Sequence, residues 1–437
     1  MRITSLVGAR DATVQLGLGF SSGLPMLLIY STLSARLTDA GIARAQIGAF
    51  AWIGLLLGIK FLWAPIVDRI ALPGSRALGA RRAWIIWMQL ALAAAYVAVS
   101  AINPSTQLWL LVAAVFCVVF CSATQDIAVD AYRIERVKLG DQDEAITLYA
   151  YGYRTGMFLA GSGALALAHV WGWQNTYLVM AGCQLLCVAI ALLAKPVVPS
   201  SLPLQANKLA RSAWGAWLKP AQELWQRLGH STMLTLVLFL MLFRLCDSML
   251  GMMWTPYLLG VGYDKLTIAA ASGPVGIGCT LLGAALGARL ARRIEIRTLL
   301  LVAALLAGAS NLLFPSLIYI ELNPTWLASV CALDAIGNGL ASFVIVKLIA
   351  QLVNKEFSAS QHAFFAAMPF LSGRLLAGPS GWIVDQIGFE AFLWASAATC
   401  LLPILVLRMR RFAVITQTNP CQSNPGAIHF SPEKCVR

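Results

Sequence analysis

Eight ionisable side chains, Lys60, Asp126, Asp130, Arg154, Arg244, Asp247, Asp334 and Arg374, stand inside long apolar runs. An ionised group surrounded by hydrocarbon costs several kcal/mol, so each of them must meet an opposite charge, a protein dipole or water. Asp126 and Asp130 are four apart and share one helix face, and two carboxylates in a low-dielectric setting resist ionising together. That is the chemistry of a group that takes up and releases a proton. Arg133, a turn further on, and Arg154 are available as counter-ions, so the same pair also reads as half of a structural brace. Arg244 and Asp247, three apart, can neutralise one another within a helix. Lys60 has no acid on its own run nearer than Asp68. It needs a partner from another helix or an anionic substrate, unless its stem snorkels to the surface.

The runs that hold these charges set the class of molecule. Of 437 residues 59% are hydrophobic and only 12% charged, against about 25% charged in a soluble domain, which excludes a water-soluble fold. Segments of spanning length run over 13–33, 46–67, 83–102, 108–130, 146–168, 175–194, 232–258, 266–288, 298–320, 326–347, 364–385 and 391–407. The expectation is an all-α polytopic membrane protein with 12 transmembrane helices, leaving little room for a sizeable soluble domain. The opening Met1–Gln15 stretch runs straight into the first segment, which reads as an anchor rather than a cleaved leader. The longest connection, 195–231, carries Lys195, Pro196, Pro199 and Pro203 and then an amphipathic stretch from Leu209 to Leu228. It divides the chain into a six-helix half 1–194, a cytoplasmic linker 195–231, a six-helix half 232–411 and a cytoplasmic tail 412–437.

The halves repeat weakly. Spans 2 and 8 precede Arg-rich turns, spans 4 and 10 carry Asp126 and Asp334, spans 5 and 11 carry Arg154 and Arg374, and Gly172-Trp173 and Gly388-Phe389 follow. Two parallel six-helix repeats are the architecture of major facilitator transporters, with substrate held between the halves near the midplane. The net charge of +13 follows the same plan: 25 Lys and Arg fall in segments on one side, and only Arg36, Arg44 and Lys265 on the other. By the positive-inside rule both termini are cytoplasmic, and the basic excess records topology and lipid contact rather than nucleic-acid binding. Eight cysteines within apolar runs read as small core residues, and Cys421 and Cys435 in the tail lack metal-ligand spacing. With no Walker A motif and four scattered histidines, the expectation is a secondary transporter, not an enzyme, with no cofactor and no metal. Gln125, Tyr153, Asn338 and Gln361, with Lys60 and Arg154 as cations, are the candidate substrate-binding residues. Asp126 and Asp130 are the candidate proton carriers.

These residues fall in ordered blocks. Gly19-Phe20-Ser21-Ser22-Gly23-Leu24-Pro25, Lys60-Phe61-Leu62-Trp63-Ala64-Pro65 leading to Asp68-Arg69, and Cys121-Ser122-Ala123-Thr124-Gln125-Asp126-Ile127 with Asp130-Ala131-Tyr132 resemble the AmpG family of muropeptide permeases. So do Gly152-Tyr153-Arg154 with Gly156-Met157, Phe243-Arg244 with Asp247, and Phe357-Ser358-Ala359-Ser360-Gln361. The resemblance implies proton-driven import, across the bacterial inner membrane, of N-acetylglucosamine-anhydro-N-acetylmuramyl peptides for peptidoglycan recycling, which in many such organisms feeds β-lactamase induction. It also implies that Asp68-Arg69 and Arg81-Arg82 belong to a charged turn that latches the halves on the cytoplasmic side. The partners expected are the anhydromuropeptide, protons and lipid, with the protein a monomer. The chain departs from the pattern in lacking the two further C-terminal spans of some relatives, and in having His362 where Tyr is expected. A siderophore or other anionic-metabolite permease of the same fold and a non-transporting assembly factor are the alternatives.

Overall fold

The structure, a computed structural model, describes residues 8–136, 142–195, 222–352, 358–409 and 412. No strand occurs among them. An all-helical chain satisfies its backbone polar groups within each helix, as a bilayer demands. Eight helical runs are long and apolar enough to cross a membrane. One of them, Thr147–Leu193, has 47 residues, about twice what one crossing needs, and is divided at Gly172 (φ 76°, ψ 169°). Gly388 (φ 78°, ψ 166°) divides Ser380–Thr399 in the same way. Glycine reaches this positive φ without steric cost, so the two Gly-aromatic turns are one device used in both halves.

Other runs are interrupted. The second consists of Arg44–Ile53, Leu55–Ile59, a 3₁₀ turn at Lys60–Leu62 and Ala64–Arg69. The seventh consists of His230–Phe243, Leu245–Gly251 and Trp254–Val261. Joined across these breaks and divided at the two glycines, the elements are consistent with twelve spans: 9–39, 44–69, 80–101, 108–136, 142–171, 173–193, 230–261, 265–290, 296–319, 324–352, 358–387 and 389–408. They are called spans 1 to 12 below.

Within the first half, spans 1 and 5 meet backbone to backbone. A Cβ at Gly19 or Gly23 would lie 2.1 Å from the carbonyl oxygen of Tyr149 or Tyr153. Small residues permit such close packing in a membrane, so these glycines serve packing.

The apolar core shows how the halves sit. One cluster joins both halves, running from Leu24, Tyr30 and Phe50 through Tyr177 to Tyr257, Phe314 and Phe392. It occupies the end that carries the 1–2, 5–6, 7–8 and 11–12 turns. Towards the opposite end the core divides into two separate clusters, one wholly in the first half around Trp84 and Tyr132 and one in the second around Phe239 and Phe365, joined by Leu224 and Phe412 from just outside it. At that divided end basic side chains donate to carbonyls at helix C-termini: Arg10 to Leu193, Arg82 to Leu192, Lys347 to Ala291, Arg227 to Leu352 and Arg297 to Leu407. Cations are favourable there because the last carbonyls lack helical donors and the helix dipole is negative.

The described part of the expected linker is docked. Gln222–Leu228 meets span 7 at an angle of 107°, Glu223 accepts from Gln361 at 2.5 Å and Arg227 reaches Leu352 O at 2.6 Å. Residues 196–221 lie outside the described residues, as do 413–437 of the tail.

Candidate functional site

Between the halves lies a cavity of two adjoining lobes. The first, about 330 Å³, is lined by Arg154, Met157 and Phe158 of span 5, Ile277 of span 8, and Asp334 and Asn338 of span 10. The second, about 350 Å³, is lined by Arg244 and Asp247 of span 7, Asn311 of span 9 and again Asp334 and Asn338. Trp254 and Phe314, their rings 4.8 Å apart, wall both lobes. So do Ser162 and Ser272, which stand in π-helical turns at Leu159–Gly163 and Ala271–Val275. A π-turn inserts a residue into the helical ladder and is frequent at functional sites.

The second half brings a connected set of charges to this cavity. Arg244, at the break between His230–Phe243 and Leu245–Gly251, donates to Ser342 Oγ at 2.8 Å and to Asn338 Oδ1, and pairs with Asp247 at 3.3 Å. Asn338 Nδ2 donates to Asp334 Oδ2 at 3.0 Å, and Ser310 Oγ to Asp334 Oδ1 at 3.2 Å. The expected Arg244–Asp247 pair is therefore present, as part of a network that ties spans 7, 9 and 10 together.

Arg154 is alone on the opposite wall. Among the described residues it has no hydrogen-bond or ion-pair partner, so it is not the counter-ion of Asp126. Asp126 Oδ2 instead meets Lys60 Nζ at 3.3 Å; Lys60 has its partner on another helix. Asp126 Oδ1 is buried without a hydrogen bond. Asp130 is paired with Arg133 at 2.9 Å. None of these four lines either lobe.

Of the other expected substrate contacts, Asn338 lines both lobes. Gln125 does not: it is fully buried, accepting from Ser21 and Gln184 and donating to Ser22. Gln361 holds the docked linker helix, and Tyr153 stacks on Tyr149 with centroids 6.3 Å apart. Arg374 lies 3.5 Å over the Tyr30 ring, a cation–π contact between the halves. Of the expected gating turn, Arg82 caps span 6 and Arg81 lies on the first turn of span 3; the side chains of Asp68 and Arg69 lie outside the described ones.

The end where the core is continuous is fastened by charges the sequence pattern did not single out as a group. Lys265 pairs with Asp39 across the halves and sits 5.1 Å over the Trp173 ring, whose N–H donates to Asp39 at 2.7 Å. Arg44 pairs with Asp385 at 3.8 Å and lies 4.7 Å over Phe389. These are the only ion pairs between the halves among the described residues. Asp264, just before Lys265, caps its helix; hydrogen bonds from the hydroxyl and N–H of Thr267 hold its carboxyl below the usual carboxylate range.

A family model of the Major Facilitator Superfamily matches residues 13–378. The chain is 31% identical over 412 residues to the Anhydromuropeptide permease of Escherichia coli (strain K12), a match covering 93% of this chain and 81% of that one. The chain belongs to the AmpG family of major facilitators. It is also 29% identical over 396 residues to Putative transporter AmpG 4 of Rickettsia conorii, covering 89% and 94% of the two chains. Among solved structures it resembles a D-xylose-proton symporter, with a TM-score of 0.69 at 11% identity over 91% and 96% of the chains. It resembles the peptide transporter POT in complex with sulfate, with a TM-score of 0.66 at 13% identity over 94% and 96%. At such identities these two likenesses show the fold alone. This AmpG-family chain is thus a multi-pass membrane transporter rather than an enzyme, and the cavity between its halves is where a facilitator handles its substrate.

Trp254, Phe314, Ser162, Ser272 and Asn311 are among the lining residues that sequence reasoning missed. The available signal was the interruption of spans 5, 7 and 8 by Gly and Pro, since broken helices mark cavities in transporters.

Proposed function

We propose that this permease imports N-acetylglucosamine-anhydro-N-acetylmuramyl peptides across the bacterial inner membrane, as a monomer surrounded by lipid and driven by the proton gradient. The recovered sugar peptides feed peptidoglycan recycling and, where the two are linked, β-lactamase induction. The observation that carries this reading is Arg154, a partnerless cation among the described residues, on a cavity wall that also offers two amides, hydroxyls, aromatic faces and, on the opposite side, the Arg244, Asp247 and Asp334 network. Peptide carboxylates suit the guanidinium, which recognises them through paired N–H donors. Sugar hydroxyls suit Asn338, Asn311 and the two serines, and a pyranose face suits Trp254. The identity with the Anhydromuropeptide permease supports the same substrate.

Placing the Arg-rich end in the cytoplasm, with both termini, follows the positive-inside rule. The fastened end is then periplasmic, and the structure is an inward-facing state of alternating access. The test is uptake of labelled anhydromuropeptide into vesicles with and without an imposed proton gradient. Accumulation that collapses when the gradient is dissipated is expected; gradient-independent exclusion of the label by well-folded protein would overturn the proposal.

A further inference from the structure

Among the described residues, the charged groups on the wall of both lobes are two cations, Arg154 and Arg244, and two carboxylates, Asp247 and Asp334. They are not paired evenly. Arg244 reaches Asp247, whereas among the described residues Asp334 accepts only from the neutral Ser310 and Asn338. The groups facing Asp334 are Arg244 and Asp247 from span 7, Ser310 from span 9, Ser272 from span 8 and, across the first lobe, Arg154 from span 5. Asn311, 1% exposed in the second lobe, has an Oδ1 with no donor. The network therefore already has more acceptors than protons to satisfy them.

With the cavity empty, the wall is neutral only because Arg154 balances Asp334 at a distance. A substrate carboxylate that engages Arg154 removes this balance and leaves a net negative charge in a low-dielectric site, where an uncompensated charge is costly. Among the described residues no third cation lines the lobes to restore neutrality.

We infer that a substrate carboxylate and one proton occupy this cavity together, the anion on Arg154 and the proton on Asp334. The inference rests on the muropeptide reading, which supplies the anion. The proton comes from water on the periplasmic side, forms an O–H on Asp334 that donates within the network, and leaves to the cytoplasm once the substrate has gone. Asp126 and Asp130 are already neutralised by Lys60 and Arg133 away from the lobes, so the coupling belongs to the second half.

The test uses the full-length protein and labelled N-acetylglucosamine-anhydro-N-acetylmuramyl tetrapeptide. Its carboxylates stay ionised between pH 5.5 and 8, so any pH dependence of binding in that range reports the protein. Because binding takes up a proton, affinity should fall as pH rises, by up to about tenfold per pH unit wherever Asp334 is ionised in the empty site. Asp334→Asn should bind with a flat pH profile and exchange label across proteoliposomes without accumulating it. Asp334→Glu should restore both the slope and accumulation, which separates titration from folding. Asp126→Asn should keep the slope. Retained gradient-driven accumulation in Asp334→Asn, or a flat profile in Asp126→Asn with a sloped one in Asp334→Asn, overturns the assignment. Wild-type protein that binds no muropeptide at any pH overturns the substrate reading instead, and the coupling with it.

Discussion

Replacing Lys265 with Met should release the fastened end, the periplasmic one in the orientation proposed. Its ammonium pairs with Asp39 and lies over Trp173, and the two acid–base side chains are only 20% and 29% exposed. An ion pair at this burial contributes about 1 kcal/mol and the ring contact about 0.5–1 kcal/mol. Both join Lys265 of the second half to residues of the first, so both are lost when this end opens. Their removal shifts the inward–outward equilibrium by about 1.5–2 kcal/mol, roughly 10- to 30-fold towards the outward state. The Arg44–Asp385 pair is longer, at 3.8 Å, and more exposed, at 47% and 37%, so Arg44→Gln should shift it only a few-fold. Ser31 lines the second lobe and can be reached from outside only when the fastened end parts. The rate at which a membrane-impermeant maleimide labels Ser31→Cys from the outer face therefore reads the outward population. Lys265→Met should raise that rate about 10- to 30-fold and Asp39→Asn, which leaves the ring contact in place, about fivefold; the double variant should go no further than Lys265→Met, because the ion pair is one contact. Unchanged labelling, or effects that multiply in the double variant, would refute the claim that this pair holds the end shut.

Three further substitutions separate binding from support. Arg154→Gln should weaken tetrapeptide binding about 10- to 100-fold, the loss of a charged hydrogen bond, while thermal unfolding in detergent stays within about 0.5 kcal/mol because no described residue depends on it. Lys60→Met should destabilise the fold by about 2–3 kcal/mol by stranding Asp126, somewhat less than for a fully buried pair because Lys60 is 32% exposed; Lys60→Met with Asp126→Leu should recover most of it in the same melt. Asp264→Ala should cost about 1 kcal/mol as a lost helix cap. Since the capped carboxyl is held below its usual range, this contribution is complete above about pH 4 and fades as pH falls through the lowered value, so wild type and variant should converge in acid.

The fold was legible because it depends on long-range regularities: apolar runs, the placement of basic residues and the repeated Gly-aromatic turn. The pair Arg244 and Asp247 was legible for a local reason, since a spacing of three brings side chains together on any helix. Contacts between helices were not. Lys60 visibly lacked a partner, but nothing in its spacing distinguished Asp126 from a ligand. Gln125 and Asn338 are similar polar residues in similar runs; one is sealed between spans 1, 4 and 6 and the other faces the cavity, because helix rotation decides exposure and the local pattern does not report it. The same holds for Asp39 and Lys265, 226 positions apart, which meet only because the halves close on each other.

The two halves have diverged where they matter most for coupling. In the first, the helix interior is filled by amides and hydroxyls: Gln89, Gln125 and Gln184 converge on Ser21 and Ser22. Such a network carries no charge to gain or lose, so it is the same at every step of the cycle. In the second, Arg244, Asp247, Asn311, Asp334 and Asn338 form a network that contains ionisable groups, so that one proton can change its total charge. A proton-driven carrier needs a scaffold that stays fixed and a site that changes state, and a chain built from two copies of one unit can assign one task to each. Among the described residues Arg154 is the single charge that the first half contributes to the lobes, and it faces the half that carries Asp334. Neutralising the equivalent aspartates should therefore have unlike consequences: Asp126→Asn removes a partner from Lys60 and lowers stability, whereas Asp334→Asn leaves the fold in place and disconnects substrate from proton.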